Sequence, residues 1–122
     1  MKRILLVDDN ESFRRSLGVV LQRAGYEVQS AADGSAALEL YHQQPTDLVI
    51  TDLIMPGKEG LETIVELRRL EPQLKIVAIS GGGRMAPEDY LPMARHLGAA
   101  ATLVKPFSPQ EMLELVAKLL RA

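Results

Sequence analysis

The 122-residue sequence contains no cysteine and no tryptophan, and aromatic residues make up only 4% of it. Without cysteine, neither a disulfide framework nor a thiolate metal site can form. Charge of one sign is not in excess either: 14 basic residues face 16 acidic ones, a formal net charge of −2. That balance gives no electrostatic footprint for nucleic acid or an anionic lipid surface, so no direct DNA binding and no membrane association are expected. Long hydrophobic runs are also missing. The opening MKRILLVDD meets acid at Asp8, too early for the core of a secretion signal. No stretch approaches the roughly 18 apolar residues of a membrane span. These absences fit a cytoplasmic protein. The chain has a length typical of one domain, taken here as 1–122, and 47% hydrophobic residues suffice to bury a core.

Short apolar runs alternate with helical patterns. Arg3–Val7 (RILLV) reads as a buried strand because it is continuously apolar and ends in acids. Phe13, Leu17, Val20, Leu21 and Ala24 then recur at helical spacing, and Gly25 stands where that helix would stop. Glu27–Ala31 is a weaker, alternating strand; Asp33-Gly34 reads as a turn and Ser35–Gln43 as a second helix. Leu48–Thr51 is a third strand ending at Asp52. Leu61, Ile64, Val65 and Leu67 mark a third helix, stopped near Pro72. Lys75–Ile79 is a fourth strand ending at Ser80, followed by the glycine run Gly81–Gly83. Asp89 is the expected cap of a fourth helix, which places Pro92 in its first turn and Gly98 at its end. Thr102–Val104 is a short fifth strand ending at Lys105. Ser108-Pro109-Gln110-Glu111 then combines a capping box with proline at the first helical position.

Five strands alternating with five helices imply parallel pairing with right-handed crossovers, hence a doubly wound α/β sheet covered on both faces. The functional crevice of such sheets lies outside the carboxyl ends of the strands. Asp8, Asp9, Asp52, Ser80 and Lys105 all stand at strand ends and should meet there. Three crowded carboxylates repel one another, and a bound dication relieves the repulsion. An oxygen-only donor set suits a hard ion such as Mg²⁺ better than zinc. A carboxylate beside a metal, a lysine and a hydroxyl can act as nucleophile toward phosphorus and become an acyl phosphate. Each residue alone also has an ordinary reading: the acid pair as a helix cap, Ser80 bonded to nearby backbone, Lys105 on the solvated surface.

The pieces LLVDD at 5–9, TDLIMPGKEG at 51–60, IS at 79–80 and KPF at 105–107 resemble the response-regulator receiver family, in this order and over essentially the whole chain. The resemblance implies a flavodoxin-like sheet of strand order 2-1-3-4-5. It implies Asp52 as phosphoacceptor, with Asp8, Asp9, Asp52 and the backbone carbonyl of Ile54 around Mg²⁺. It further implies that Ser80 and Lys105 contact the phosphoryl oxygens, and that the Lys105–Pro106 bond is cis. The expected function is a phosphorylation-activated switch of a two-component system or phosphorelay, charged by a histidine kinase or phosphotransfer protein through a phosphohistidine. It would not be an enzyme beyond its own phosphorylation and dephosphorylation. Because the sequence ends shortly after the last helix, output is expected through a downstream protein partner.

The chain departs from the family pattern at two places. Thr102 occupies the position, three residues before the lysine, where an aromatic switch usually sits. The Ser80–Lys105 stretch is also longer than usual and carries Gly81, Gly82 and Gly83. Those glycines lack the GxxxxGK[ST] pattern of a nucleotide loop and read as freedom for a switch region. The apolar arc of the last helix (Met112, Leu113, Leu115, Val116, Ala117, Leu119, Leu120) is wide enough either for deep burial or for a homodimer surface on the fourth and fifth helices. His42 and His96 fall on helical patterns away from the strand ends and read as surface residues; Met85 and Met93 read as packing. Rival readings are an aspartyl-phosphate phosphohydrolase, a flavin carrier, or an unphosphorylated interaction module. The first needs a second acid two residues after the nucleophile, where Ile54 stands. The second needs a Ser/Thr/Gly-rich loop where Asp8-Asp9-Asn10-Glu11 stands.

Overall fold

The structure, a computed structural model, describes residues 1–53, 60–80, 92, 94–96 and 98–121. The strands are β1 (Arg3–Val7), β2 (Glu27–Ala31), β3 (Leu48–Asp52), β4 (Lys75–Ser80) and β5 (Ala101–Val104). The helices are α1 (Glu11–Arg23), α2 (Gly34–Gln43), α3 (Gly60–Leu70), α4, described at 92 and 94–96, and α5 (Pro109–Arg121). The five strands form one parallel sheet ordered β2-β1-β3-β4-β5. None of the helices among the described residues is long and apolar enough to cross a membrane.

The three central strands are apolar through most of their length because both of their faces are covered. Ile4, Leu5, Leu6, Val7, Leu48, Val49, Ile50, Ile76, Val77 and Ile79 are all fully buried, each contributing about 1.5–3 kcal/mol of transfer free energy. Alternation divides them between two cores. Ile4, Leu6, Ile50, Val77 and Ile79 pack with Leu17 and Leu21 of α1 and Met112 and Val116 of α5. Leu5, Val7, Val49, Ile76 and Ala78 pack with Ala37 and Tyr41 of α2, Ile64 and Leu67 of α3, and Ala94 of α4. The edge strands bury less. In β2, read as alternating, only Ala31 is buried, and none of the four residues of β5 is.

Local chemistry sets the helix ends. Asn10 caps α1 by accepting the Phe13 N–H on its side chain, 3.0 Å away. The helix closes in a Schellman arrangement. Gly25, at φ 101°, donates to the Gln22 carbonyl and Tyr26 donates to the Leu21 carbonyl. At α5 the Ser108 hydroxyl accepts the Glu111 N–H at 3.1 Å and the Glu111 carboxylate accepts the Ser108 N–H at 3.0 Å, the reciprocal capping box expected there. Asp33-Gly34 is corrected from a free turn to a helix start: Asp33 accepts the Ala36 N–H at 2.8 Å and Gly34 is already helical. The Asx side chain captures a donor that would otherwise be orphaned, so the turn and the cap are one feature. The wide apolar arc of α5 is fully buried only at Met112 and Val116, while Leu113, Leu115, Leu119 and Leu120 are half-buried against the same core. His42 and His96 are exposed.

Candidate phosphoacceptor site

Parallel strands of similar length bring Asp8, Asp52, Ser80 and Lys105 to one edge of the sheet. Asp8 directly follows β1, Asp52 ends β3, Ser80 ends β4 and Lys105 follows β5. Backbone bonds lock these ends: Asp8 N–H to the Ala31 carbonyl at 3.1 Å, Leu53 N–H to the Ile79 carbonyl at 3.1 Å, and Lys105 N–H to the Ser80 carbonyl at 2.6 Å. The Lys105–Pro106 peptide bond is cis.

Strand alternation separates the side chains. Leu6, Ile50 and Leu103 face the α1/α5 core, so Asp8, Asp52 and Lys105, each two residues further on, project to that side. Ala78 faces the α2/α3 core and pairs with Thr102, so Ser80, paired with Val104, projects to the opposite side along with Thr102. Ser80 is buried and Thr102 half-buried.

The acid side is tightly built. Lys105 Nζ lies 2.9 Å from Asp8 Oδ2 and 3.4 Å from Asp52 Oδ2. Burial alone would lower the lysine pKa. The hydrogen bond to Asp8 and the charges of Asp52 and Asp8 outweigh it and hold the ammonium above its ordinary value. Asp8 is fully buried, Asp52 half-buried and Asp9 exposed. One carboxylate oxygen from each of the three lies within 4.8 Å of the others. One ammonium against three carboxylates leaves an excess of negative charge, and the donor atoms are all hard oxygens. Both features fit a divalent cation of the Mg²⁺ type.

The acid pair is not the cap of α1, since Asn10 takes that role. Asp8 does organise the turn, accepting the Asn10 N–H on Oδ1 at 2.9 Å, while Arg14 donates to the Asp8 carbonyl at 2.6 Å. Gly60 opens α3 directly over the end of β3. A Cβ there would lie 2.1 Å from the Asp52 carbonyl oxygen and 2.6 Å from the Leu53 Cα. Gly60 closes the TDLIMPGKEG piece, but the sequence assigns no role to it or to Arg14. Gly60 has a faint signal, a glycine immediately ahead of an apolar helical pattern; Arg14 has none. Ile54, Gly81, Gly82, Gly83, Met85, Asp89 and Met93 lie outside the described residues.

Residues 4–117 match the family description "Response regulator receiver domain". The chain belongs to the response regulator receiver domain family. This receiver domain is 36% identical to the chemotaxis protein CheY of Thermotoga maritima over 118 residues, 96% of each chain. It is 39% identical to a probable transcriptional regulator, ycf27, of Cyanophora paradoxa, covering 98% of this chain but 48% of that protein. It thus spans nearly all of one relative and about half of the other. A solved structure of a putative response regulator from Chloroflexus aurantiacus superposes with a TM-score of 0.90 at 32% identity, covering 99% of this chain and 98% of the other. Receiver domains are signalling modules of two-component systems, and this one has the family's five-stranded sheet order.

Proposed function

We propose that this receiver domain, 1–122, takes a phosphoryl group onto Asp52 from the phosphohistidine of a histidine kinase or phosphotransfer protein, and that the acyl phosphate switches its contacts with a downstream protein in the cytoplasm. The observation that carries the reading is Lys105 Nζ held between Asp8 and Asp52, beside a third carboxylate. The lysine is thus a counter-ion shared by the buried Asp8 and the half-buried Asp52.

The Asp52 carboxylate attacks phosphorus, the bond to the donor imidazole breaks, and the electron pair leaves with the imidazole nitrogen. The Lys105 ammonium stands where negative charge gathers on the transferring oxygens and needs no reorganisation to meet it. Asp8, Asp9 and Asp52 are the residues that would hold Mg²⁺, which supplies charge neutralisation when bound. Ser80, on the other side of the strand end, would accept the role of hydroxyl donor to a phosphoryl oxygen. Thr102 lies two residues back on the neighbouring strand and on the same face.

The test is intact-protein mass spectrometry after incubation with a small acyl phosphate and Mg²⁺. One phosphoryl mass is expected in the wild type and none in Asp52→Ala. Retention of the added mass in Asp52→Ala would refute the assignment. Calorimetry of Asp9→Ala tests the cation: Mg²⁺ affinity should fall, and an unchanged affinity removes Asp9 from the ligand set.

A further inference from the structure

The Lys105 ammonium has a third partner besides its two carboxylates. Its Nζ lies 4.1 Å from the centroid of the Phe13 ring, well inside the roughly 6 Å reach of a cation–π contact. We propose that Phe13 is a positioning residue, whose ring face holds Lys105 on Asp8 and Asp52 so that the ammonium is in place when phosphoryl transfer begins. This role rests on the reading of Asp52 as phosphoacceptor.

The ring itself is fixed from two directions. Its backbone N–H is bound by the Asn10 cap at 3.0 Å, in the first turn after the acid pair. Its side chain meets Phe107 edge to face, with centroids 6.0 Å apart and planes at 89°, a preferred aromatic geometry. Phe107 follows Lys105 by two residues, so one ring ties the lysine segment to the helix that leaves the acids.

A ring suits this place better than another polar group. An ammonium has three donors, and two are directed at carboxylates. A third carboxylate would fix the lysine but cancel charge that the phosphoryl oxygens need. A ring face attracts the cation through its quadrupole, stays neutral, and keeps water off one side of it. Only 23% of the Lys105 side chain is exposed. A cavity of about 120 Å³, bounded by Phe13, Ser16, Leu17, Val20, Phe107 and Pro109, adjoins the ring, so a tyrosine hydroxyl has open space nearby.

The test compares wild type, Phe13→Leu and Phe13→Tyr, with Phe13→Met as a second ring-free variant should leucine fail to fold. A small acyl phosphate at saturating Mg²⁺ is the donor, which removes partner docking from the rate. In the wild type the Lys105 ε-methylene protons should be shifted upfield by the ring current. Phe13→Leu should lose that shift and be phosphorylated about 3- to 10-fold more slowly. Phe13→Tyr should restore both. An ε-methylene shift equal in wild type and Phe13→Leu overturns the contact. Equal slowing in the leucine and tyrosine variants reduces Phe13 to packing and overturns the proposal. A phosphorylated wild type beside an unslowed Phe13→Leu overturns the positioning role alone. A wild type that gains no phosphoryl mass overturns the phosphoacceptor reading and the role that rests on it.

Discussion

The two faces of the sheet are built differently. On the α2/α3 side the described core sets five alanines, Ala31, Ala37, Ala78, Ala94 and Ala99, among larger residues such as Leu5, Tyr41, Ile64 and Leu67. On the α1/α5 side large aliphatic residues are ringed by half-buried ones, among them Phe13, Phe107, Leu115 and Leu119. The charged chemistry sits above this second face, and Ser80 and Thr102 above the first. The difference separates two tasks. Asp8, Asp52 and Lys105 rest on bulky side chains that fix their strand ends. Ser80 and Thr102 stand over the face that carries the alanines, and Thr102 lies on β5, whose residues are nowhere fully buried.

The largest effect should come from undermining the bulky face. Ile50 is fully buried two residues before Asp52, and Ile50→Ala should cost about 4 kcal/mol in urea unfolding. Ala78→Val, on the other face, should cost about 1–3 kcal/mol by overpacking. If both variants unfold like the wild type, the two faces are not close-packed as described.

Gly60→Ala follows. Its Cβ must displace the backbone of Asp52 and Leu53, so a loss of about 2 kcal/mol in thermal unfolding is expected, together with slower phosphorylation. Wild-type behaviour in both measurements would mean that α3 does not press on the end of β3.

Lys105→Met leaves Asp8 buried without its counter-ion. Partly exposed as the lysine is, a loss of about 2 kcal/mol is expected without Mg²⁺, with tighter Mg²⁺ binding because a competing cation is gone. The sign with pH is fixed. The lysine pKa is raised above its ordinary 10.5, so the wild-type advantage is present in full through neutral pH. It disappears as pH rises through the raised value. An advantage that grows in that range would contradict the pairing.

The smallest effect belongs to Thr102→Ala, on the opposite face and half-exposed. Stability should change by less than about 0.5 kcal/mol, and Asp52 should still accept phosphate. A large fall in phosphorylation would contradict the separation of the two faces.

Much of this arrangement is legible in the sequence. The strand-end positions of Asp8, Asp52, Ser80 and Lys105 follow from apolar runs that stop at polar residues. The α5 cap follows from Ser108 and Glu111, whose spacing permits reciprocal bonds. The Asp33 cap was harder, because Asp-Gly writes a turn and a helix start with the same letters. Gly60 and Arg14 act through backbone atoms distant from them in sequence; Gly60 carries only a faint local signal and Arg14 none.

The order of elements and the residues at the strand ends were thus determined by sequence alone, because polarity changes mark where buried strands stop. Which face each of those residues takes was decided only in the folded molecule. A strand covered on both sides is apolar at every position, so no alternation records its phase. Val7 and Leu6 look alike in the sequence, yet they enter different cores. The Phe13 ring over Lys105 is of the same kind: 92 positions of chain separate them, and only the packing of α1 beside the end of β5 brings the cation to the ring.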